Sequence, residues 1–452
     1  MFARASGAGK AGVAVFRISG PAAFSAAAAL CGRLPEPNRT VLRPIRNAYG
    51  DLIDKGLVIL FRGPSSFTGE DVAELHLHGS AAVESALFDA LLSSRCRPAE
   101  AGEFTRRALI NGKLDLAEVE GLGDLLEAET DLQRKQALGQ FVGRLSAVAE
   151  GWRARLVAIA APLEAEIDFP DEGGVPADIA ARAGPEIDAL LAELERVRIG
   201  ASRTRVAREG VKVVIIGAPN AGKSSLLNAL AGSDRAIVSD IPGTTRDVIE
   251  ARLDLGGTLV SLFDTAGLRE ATADLIESEG IRRTRMKAEQ ADLRLLMIDV
   301  SRETSGGMAD RETQPEVAAF DEYGLLRDGD LVILNKIDLA PLPIPSANVS
   351  RETIALSART GEGVEALIAR LTAIAASLSG AGDGDGLSRL RHVVAVDTAA
   401  THLAAARERL GSDPELAAED IRLAARALGA ITGAVGVEDV LGAIFSSFCI
   451  GK

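Results

Sequence analysis

The chain has 452 residues, 47% of them hydrophobic, and carries a net charge of −14. That length exceeds a single ordinary core and predicts two or three domains, while the acidic balance argues against a nucleic-acid coat or a membrane-surface helix as the main character of the chain. Three scattered cysteines, Cys31, Cys96 and Cys449, argue against a disulfide frame and suit a reducing compartment, with the cytoplasm the expected location. No apolar run is long enough to span a bilayer, and the Ala-rich stretch ending at Cys31 has no continuous apolar run before it because Arg17 and Pro21 interrupt, so neither an anchor nor a signal peptide is expected.

Residues 11–97 alternate short apolar strands (13–18, 56–61, 73–78) with Ala/Leu helices (22–30, 81–92), which reads as a small α/β domain with a largely antiparallel sheet. His76 and His78 fall on one face of a strand without a further Cys or His nearby. A structural role is expected for them and for His392 and His402. From Leu116 the period becomes helical. Leu145, Val148, Ala149, Trp152, Leu156, Ile159, Leu163 and Ile167 keep i, i+3, i+4, i+7 spacing up to Asp168-Phe-Pro-Asp171, and a second helix is predicted over 179–197 with Ile187, Leu190, Leu191 and Leu194 on one face. Arg203, Arg205, Arg208 and Lys212, and again Arg282, Arg283, Arg285 and Lys287, cluster as local basic patches that read as solvated faces.

The next segment carries the chemistry. Gly217-Ala-Pro-Asn220-Ala221-Gly222-Lys223-Ser224 fits G-x-x-x-x-G-K-[ST], follows the apolar run 211–216 and precedes the periodic Leu226, Leu227 and Leu230, the strand, loop, helix context of a P-loop. There backbone N–H groups close around phosphates, Lys223 reaches the outer phosphates and the Ser224 hydroxyl is placed to ligate Mg2+. Thr244-Thr245 follows. Asp264-Thr265-Ala266-Gly267 ends another apolar strand, where the carboxylate can hold the Mg2+ shell and Gly267 can offer its N–H to a γ-phosphate. Asn335-Lys336-Ile337-Asp338 follows the buried-strand run 331–334. Its terminal carboxylate can accept two N–H groups from a guanine edge, a donor pair that adenine lacks, so the string selects GTP over ATP. Ser357-Ala358-Arg359 would complete the base pocket through the Ala358 backbone. These strings, in this order, predict a guanine-nucleotide switch.

The residue after Gly267 is Leu268, where Ras-like proteins have a glutamine that orients water. Leucine can do no such thing, so hydrolysis needs another group; Glu270, Glu277 and Glu279 are the acidic candidates in what reads as a polar loop, and the residues by themselves leave the choice open. Beyond the GTPase segment, the Gly/Asp-rich run 379–386 reads as a flexible linker and helices are predicted again over 390–445. Two apolar-striped helical segments flanking an inserted module would most simply pack together as one bundle.

Phe16-Arg17-Ile-Ser-Gly20, Phe67-Thr-Gly-Glu70-Asp-Val-Ala-Glu74, Gly102-Glu-Phe-Thr-Arg106, Asn111-Gly-Lys113-Leu-Asp-Leu116, Ile167-Asp-Phe-Pro-Asp171, the GTPase strings and the ending Cys449-Ile-Gly-Lys452 make nearly the whole chain resemble the MnmE or TrmE family of tRNA-modification GTPases. The resemblance implies a multidomain α/β plus all-α fold: an N-terminal α/β tetrahydrofolate-binding and dimerisation domain (1–113), a helical domain in two parts (114–209 and 375–452) and an inserted Ras-like P-loop GTPase domain (210–374). It implies a cytoplasmic homodimer that works with an FAD-dependent flavoprotein of the MnmG or GidA type, in a heterotetramer or larger. Together they would modify the wobble uridine of certain tRNAs at carbon 5, by aminomethyl or carboxymethylaminomethyl addition.

Carried over residue by residue, Arg17, Glu74, Lys113 and Lys452 would contact 5-formyltetrahydrofolate or a related one-carbon donor, and Cys449 would act in the modification chemistry. GTP would be held by Asn220, Ala221, Gly222, Lys223, Ser224 and Ser225, by Ser239, Asp240, Ile241, Pro242, Gly243, Thr244 and Thr245, and by the three later strings. K+ would sit beside the P-loop on Asn220, Ser239, Ile241 and Thr244, and Thr245 would join Ser224 on Mg2+. Glu277, shortly before Gly280-Ile281, would position the attacking water. Compared with the family pattern the N-terminus begins a few residues late, and the stretch between Gly267 and Gly280 is one residue longer, which keeps Glu279 as the alternative to Glu277. A regulatory, RNA-binding or ribosome-assembly switch GTPase without modification chemistry would explain the nucleotide strings equally well, but leaves the N-terminal strings and the Cys449 tail without a purpose.

Overall fold

The computed structural model describes residues 1–168, 179–237, 250–264, 286, 288–301, 325–339, 351–380, 386–434 and 451. In chain order the elements are β1 (Phe2–Arg4), β2 (Ala11–Ser19), α1 (Ala23–Cys31), β3 (Val41–Arg46), β4 (Leu52–Phe61), β5 (Val72–Gly79), α2 (Ala81–Ser93), α3 (Glu103–Ile110), α4 (Leu116–Glu127), α5 (Asp131–Phe141), α6 (Arg144–Asp168) and α7 (Ile179–Glu209). They continue with β6 (Val211–Gly217), α8 (Lys223–Ala231), β7 (Glu250–Leu255), β8 (Thr258–Asp264), β9 (Leu293–Asp299), β10 (Leu331–Asn335), β11 (Thr353–Leu356), α9 (Val364–Leu378), α10 (Leu390–Arg409) and α11 (Pro414–Thr432). The chain divides into two compact units, Met1–Gly123 with Gln140–Glu195 and Arg391–Lys452, and Asp124–Gly139 with Arg196–Leu390.

In the first unit five strands form an antiparallel sheet in the order β1-β2-β5-β4-β3. Side chains alternate across it with period two, so Ala14, Phe16, Ile18, Leu75 and Leu77 enter one core with Leu30, Leu87 and Leu91 of α1 and α2, while Arg17 and its register partner Glu74 stand on the opposite face. The expected antiparallel α/β arrangement is present. Its two outer strands went unread: β1 has three residues, and β3 carries Pro44 and exposed side chains, a composition tolerated at an edge. The stripe predicted on α6 is buried at Leu145, Ala149, Trp152, Leu156, Ile159 and Leu163. The Trp152 indole donates to Glu193 of α7 at 3.0 Å, and Arg422 of α11 reaches Glu164 of α6 at 3.5 Å, so helices from both sides of the P-loop segment share this unit. Buried Glu120 of α4 accepts both prongs of Arg391 at 2.6 and 2.7 Å and lies 3.1 Å from His392. The Arg391 fork also caps α11 through the carbonyls of Ala430 and Ile431.

The second unit is built on a six-stranded sheet, order β11-β10-β9-β6-β8-β7, parallel except for β7. β6, β9 and β10 are near-continuous apolar runs because both sheet faces are covered. Val213, Ile215, Leu295 and Ile333 pack with Leu226, Leu230, Leu367 and Leu371 of α8 and α9 on one face, and Val214, Ile216, Leu296, Ile298 and Val332 form the core of the other. Helix α7 runs to Glu209, twelve residues beyond its predicted end at 197. The basic run at its end is not merely solvated: Arg205 pairs with Asp292 at 2.7 Å, and Arg208 and Lys212 both pair with Glu209, at 2.5 and 2.9 Å. The second basic patch, Arg282 to Lys287, lies outside the described residues.

Candidate nucleotide site

The parallel strands place their carboxyl ends side by side. Register pairs Ile215 with Asp264, Gly217 with Met297, and Asn335 with both Asp299 and Leu356, so every nucleotide string that follows a described strand opens at one edge of the sheet. The chain places β7 and β8 on one side of β6 and β9 to β11 on the other, and such a switch point is where open α/β sheets bind ligands.

The loop from β6 to α8 depends on two glycines. Gly217 has φ +147, and a Cβ there would sit 2.3 Å from the Met297 carbonyl oxygen; Gly222 has φ +101, and a Cβ would sit 2.2 Å from Asn335 Nδ2. Asn220 also has positive φ, +64. The buried Lys223 ammonium donates to the carbonyls of Gly217 and Ala218, both at 2.9 Å, and so is held inside the curve of the loop at the amino end of α8. Next to it the Ser224 hydroxyl donates to Asp264 Oδ2 at 2.6 Å. Two hard oxygen donors 40 residues apart are thereby adjacent, with Asp264 buried at 1% exposure.

Asn335 is the joint of the site. Its buried amide donates from Nδ2 to the Ala221 carbonyl at 2.7 Å and accepts the Ala358 N–H at 3.0 Å, fastening the phosphate loop and the Ser357-Ala358-Arg359 loop to one side chain. Asp338, in the turn Ile337–Leu339, accepts the Ser357 hydroxyl at 2.6 Å and the Arg359 fork at 2.7 and 3.1 Å. The Ser357 hydrogen bond, with the Arg359 charge, holds the Asp338 carboxyl below the usual carboxylate range, so it is an anionic acceptor. Lys336, φ +69, directs its ammonium to Asp299 Oδ2 at 2.5 Å. Asp299 belongs to none of the strings; its place at the end of the apolar run 293–298 is the signal that could have found it.

Ser225 continues helix α8 after Ser224. Ser239, Asp240, Ile241, Pro242, Gly243, Thr244, Thr245, Thr265, Ala266, Gly267, Leu268, Glu270, Glu277 and Glu279 lie outside the described residues, as do Cys449 and Lys452.

On the face of the first unit's sheet opposite the α1 and α2 core, Arg17 donates to Glu74 Oε1 at 2.9 Å with its guanidinium 5.6 Å from the ring centres of both Phe67 and Phe104, and His76 lies 3.3 Å from Glu74 Oε2. Lys113 borders the loop that carries Phe67: a Cβ on Gly69 would stand 3.2 Å from its Cγ. Arg17, Glu74 and Lys113 thus share one neighbourhood. Sequence reasoning missed its support. Glu70 accepts from Ser19 at 2.8 Å and from Arg107 at 2.9 and 3.1 Å, and Glu103 accepts from Arg97 and Arg107. Burial alone would push the Glu103 carboxyl up, but Arg97, the Glu100 N–H and Arg107 outweigh it and bring it down to about 2.

Each histidine meets a carboxylate: His76 with Glu74, His78 with Asp54, His392 with Glu120 and His402 with Asp420. No group of three or more His, Cys, Asp or Glu side chains suited to a metal occurs among the described residues. Cys31 and Cys96 are buried free thiols whose pKa burial raises. Among the described residues no helix is long and apolar enough to cross a membrane.

Residues 116–449 match the family model of the MnmE helical domain, and residues 1–113 match that of the GTP-binding protein TrmE N-terminus. The chain is 48% identical over 454 residues to the tRNA modification GTPase MnmE of Maricaulis maris, an alignment covering 100% of this chain and 99% of that protein. It is 50% identical over 458 residues to the protein of the same name from Parvibaculum lavamentivorans, again covering 100% and 99%. Among solved structures it is similar to the G domain of the T. maritima FeoB iron transporter, at 23% identity and a TM-score of 0.26 over 37% of this chain and 98% of that one.

Proposed function

The chain belongs to the MnmE family of tRNA modification GTPases, and we propose that it couples GTP hydrolysis to C5 modification of the wobble uridine of certain tRNAs, in the cytoplasm, as a homodimer working with an FAD-dependent partner of the MnmG or GidA type. The observation that carries the nucleotide half of this reading is the fastening of the phosphate loop and the base loop to Asn335. On this reading the loop N–H groups and Lys223 take the phosphates, Asp338 accepts the guanine imino and amino donors, and the Ala358 backbone completes the base pocket.

Ser224 and Asp264 are hard oxygen donors in contact, a set that suits Mg2+. With Thr245 they would hold it, and the ion would neutralise charge on the β- and γ-phosphates. Asn220 can turn its side-chain oxygen to K+ beside the loop, with Ser239, Ile241 and Thr244 as further ligands. Glu277, or Glu279, would orient water in place of the glutamine that Leu268 replaces. In the first unit Arg17, Glu74 and Lys113, with Lys452 from the tail, would hold a one-carbon tetrahydrofolate: a carboxylate can accept from the pterin amide and amine edge, and the cations suit glutamate carboxylates. The division proposed is 1–113 for folate binding and dimerisation, 114–209 and 375–452 for the helical domain, and 210–374 for the GTPase.

The test is the wobble-uridine content of tRNA from cells lacking the protein. The modified uridine should disappear, return with the native gene and not return with Ser224→Ala. Cys449→Ser should keep GTP hydrolysis while modification falls. Unchanged wobble uridine in the deleted strain would overturn the proposal.

A further inference from the structure

The charge of the chain is unevenly placed. Its first 62 residues hold nine Lys and Arg against three Asp and Glu, a net +6, and the other 390 hold 41 against 61. In a chain of net −14, such an asymmetry marks a region suited to a polyanion. The three acids offset it little: Asp54 is engaged by His78 at 2.9 Å, Asp51 takes the Asn47 amide at 3.1 Å, and Glu36 lies 3.6 Å from Arg39.

The fold gathers five of these arginines along one edge of the first unit's sheet. Its outer strand is β3, six residues and so about 20 Å long. At the hairpin end of β3, exposed Arg46 donates to the Gly50 carbonyl at 2.7 Å, and midway Arg43 donates to the Arg33 carbonyl, just past α1, at 3.1 Å. Near the other end Arg39 is 76% exposed, and Arg62, which follows β4, lies 5.7 Å from the Phe24 ring of α1. Among the described residues Arg39 alone of the five is within ion-pair distance of a carboxylate. The other four keep guanidinium donors directed at no carboxylate, and a planar fork of this kind matches phosphate oxygens. Protecting a sheet edge from pairing asks for charge of either sign, and Pro44 already interrupts β3. That need does not account for Arg33, Arg39 and Arg62, which lie outside the strand.

Tyr49 stands at the tip of the β3–β4 hairpin, 92% exposed. Asn47 Oδ1 accepts the N–H groups of Tyr49 and Asp51, at 3.0 and 2.9 Å, and so fixes the turn that carries the ring. An aromatic face presented beside cations is the arrangement on which an unpaired RNA base stacks.

We propose that this edge, Arg33, Arg39, Arg43, Arg46 and Arg62 with Tyr49 at its tip, is where the chain seats its tRNA: the arginines take phosphates along the backbone and the Tyr49 ring stacks on an unpaired base. This rests on tRNA being the substrate. An acidic surface of a partner protein would also attract the arginines, but it offers the forks no run of phosphates and Tyr49 no base, so RNA fits better.

The experiment is an anisotropy titration of fluorescently labelled tRNA, taken from cells lacking the protein, with the full chain over a series of salt concentrations. The triple variant Arg39→Gln, Arg46→Gln and Arg62→Gln is expected to weaken binding at least about tenfold at physiological salt. The slope of log Kd against log salt should fall by about 2 to 3, one counterion term for each lost phosphate contact. Tyr49→Ala is expected to weaken binding about fivefold or more with the slope unchanged, because stacking releases no counterion. Both should hydrolyse GTP like the native chain. Neutralising Arg134, Arg407 and Arg422, exposed arginines of other helices, should change affinity by less than about twofold. A triple variant within about twofold of native with an unchanged slope, or a control triple that weakens binding equally, would overturn the assignment. So would unchanged tRNA affinity with lost wobble modification in cells, which gives the edge to a protein partner. A native chain without saturable tRNA binding overturns it too; the substrate reading itself falls only if the wobble uridine is unchanged in the deleted strain.

Discussion

Replacing Asn335 tests whether one buried amide couples the phosphate loop to the base loop. The side chain is 2% exposed, donates to the Ala221 carbonyl at 2.7 Å and accepts from the Ala358 N–H at 3.0 Å. Asn335→Ala removes both bonds, each worth about 1 kcal/mol net, and strands a largely enclosed N–H and carbonyl at a further cost of about 1 kcal/mol, so the loss is about 3 kcal/mol. At roughly 2–4 °C per kcal/mol for a domain of this class, the melting transition of the GTPase unit should fall by about 6–12 °C. Affinity for GDP should fall at least about tenfold, because the two loops would no longer be held in register before the nucleotide binds. Asn335→Asp is the sharper variant. It is isosteric and still accepts from Ala358, yet it sets a carboxylate oxygen against the Ala221 carbonyl in a nearly water-free place, so it should destabilise at least as much as alanine. Calorimetry of the nucleotide-free protein, following the transition of this unit in a chain with more than one, and equilibrium GDP titration measure both quantities. An Asn335→Asp protein as stable and as tight-binding as the native one would refute the coupling.

Asp338→Asn should shift preference from GTP to xanthosine triphosphate, because the guanine amino and imino donors lose their anionic acceptor; competition binding with the two nucleotides checks this, and unchanged GTP affinity would remove Asp338 from the base site. Hydrolysis should be fast in K+ and slow in Na+, and Glu277→Ala should abolish turnover with little loss of nucleotide binding, the mark of a group needed mainly in the transition state. Equal rates in the two salts would exclude the ion, and inactivity of Glu279→Ala with an active Glu277→Ala would move the water-positioning role by two residues. In the first unit, burial pushes Glu120 up but the His392 and Arg391 hydrogen bonds outweigh it and hold its carboxyl at about 2, against an ordinary 4.5. A depressed carboxyl contributes stability above pH 4.5 that drains away as pH falls towards 2, here about 3 kcal/mol. Glu120→Gln should therefore lower the melting temperature at pH 7, with the gap to native narrowing below pH 4.5; a gap independent of pH would show that packing and not charge is what Glu120 supplies.

The nucleotide strings were legible because phosphate and guanine recognition is local chemistry: a loop of a few residues needs glycines where φ is positive and where a Cβ would stand 2.3 Å from the Met297 carbonyl oxygen, and no other residue type fits. The α6 stripe and the alternation that buries Phe16 and exposes Arg17 were legible for a similar reason, since helical and strand periods write themselves into neighbouring residues. The short β1, the proline-bearing edge strand β3 and the far end of α7 were not, because their pairing partners are distant and no local period reports them. Nor could sequence order alone place Asn335 between Ala221 and Ala358, divide the oxygens of Asp299 between Ser301 and Lys336, or turn the basic run at Arg205 into ion pairs with Asp292 and Glu209. The pairs of Asn335 with Ala221 and Ala358, of Asp299 with Lys336 and of Arg205 with Asp292 join residues far apart along the chain, and parallel β-strand register brings several of them to one sheet edge. A side chain's partners are decided where strands meet, and that meeting is set by the packing of the whole unit.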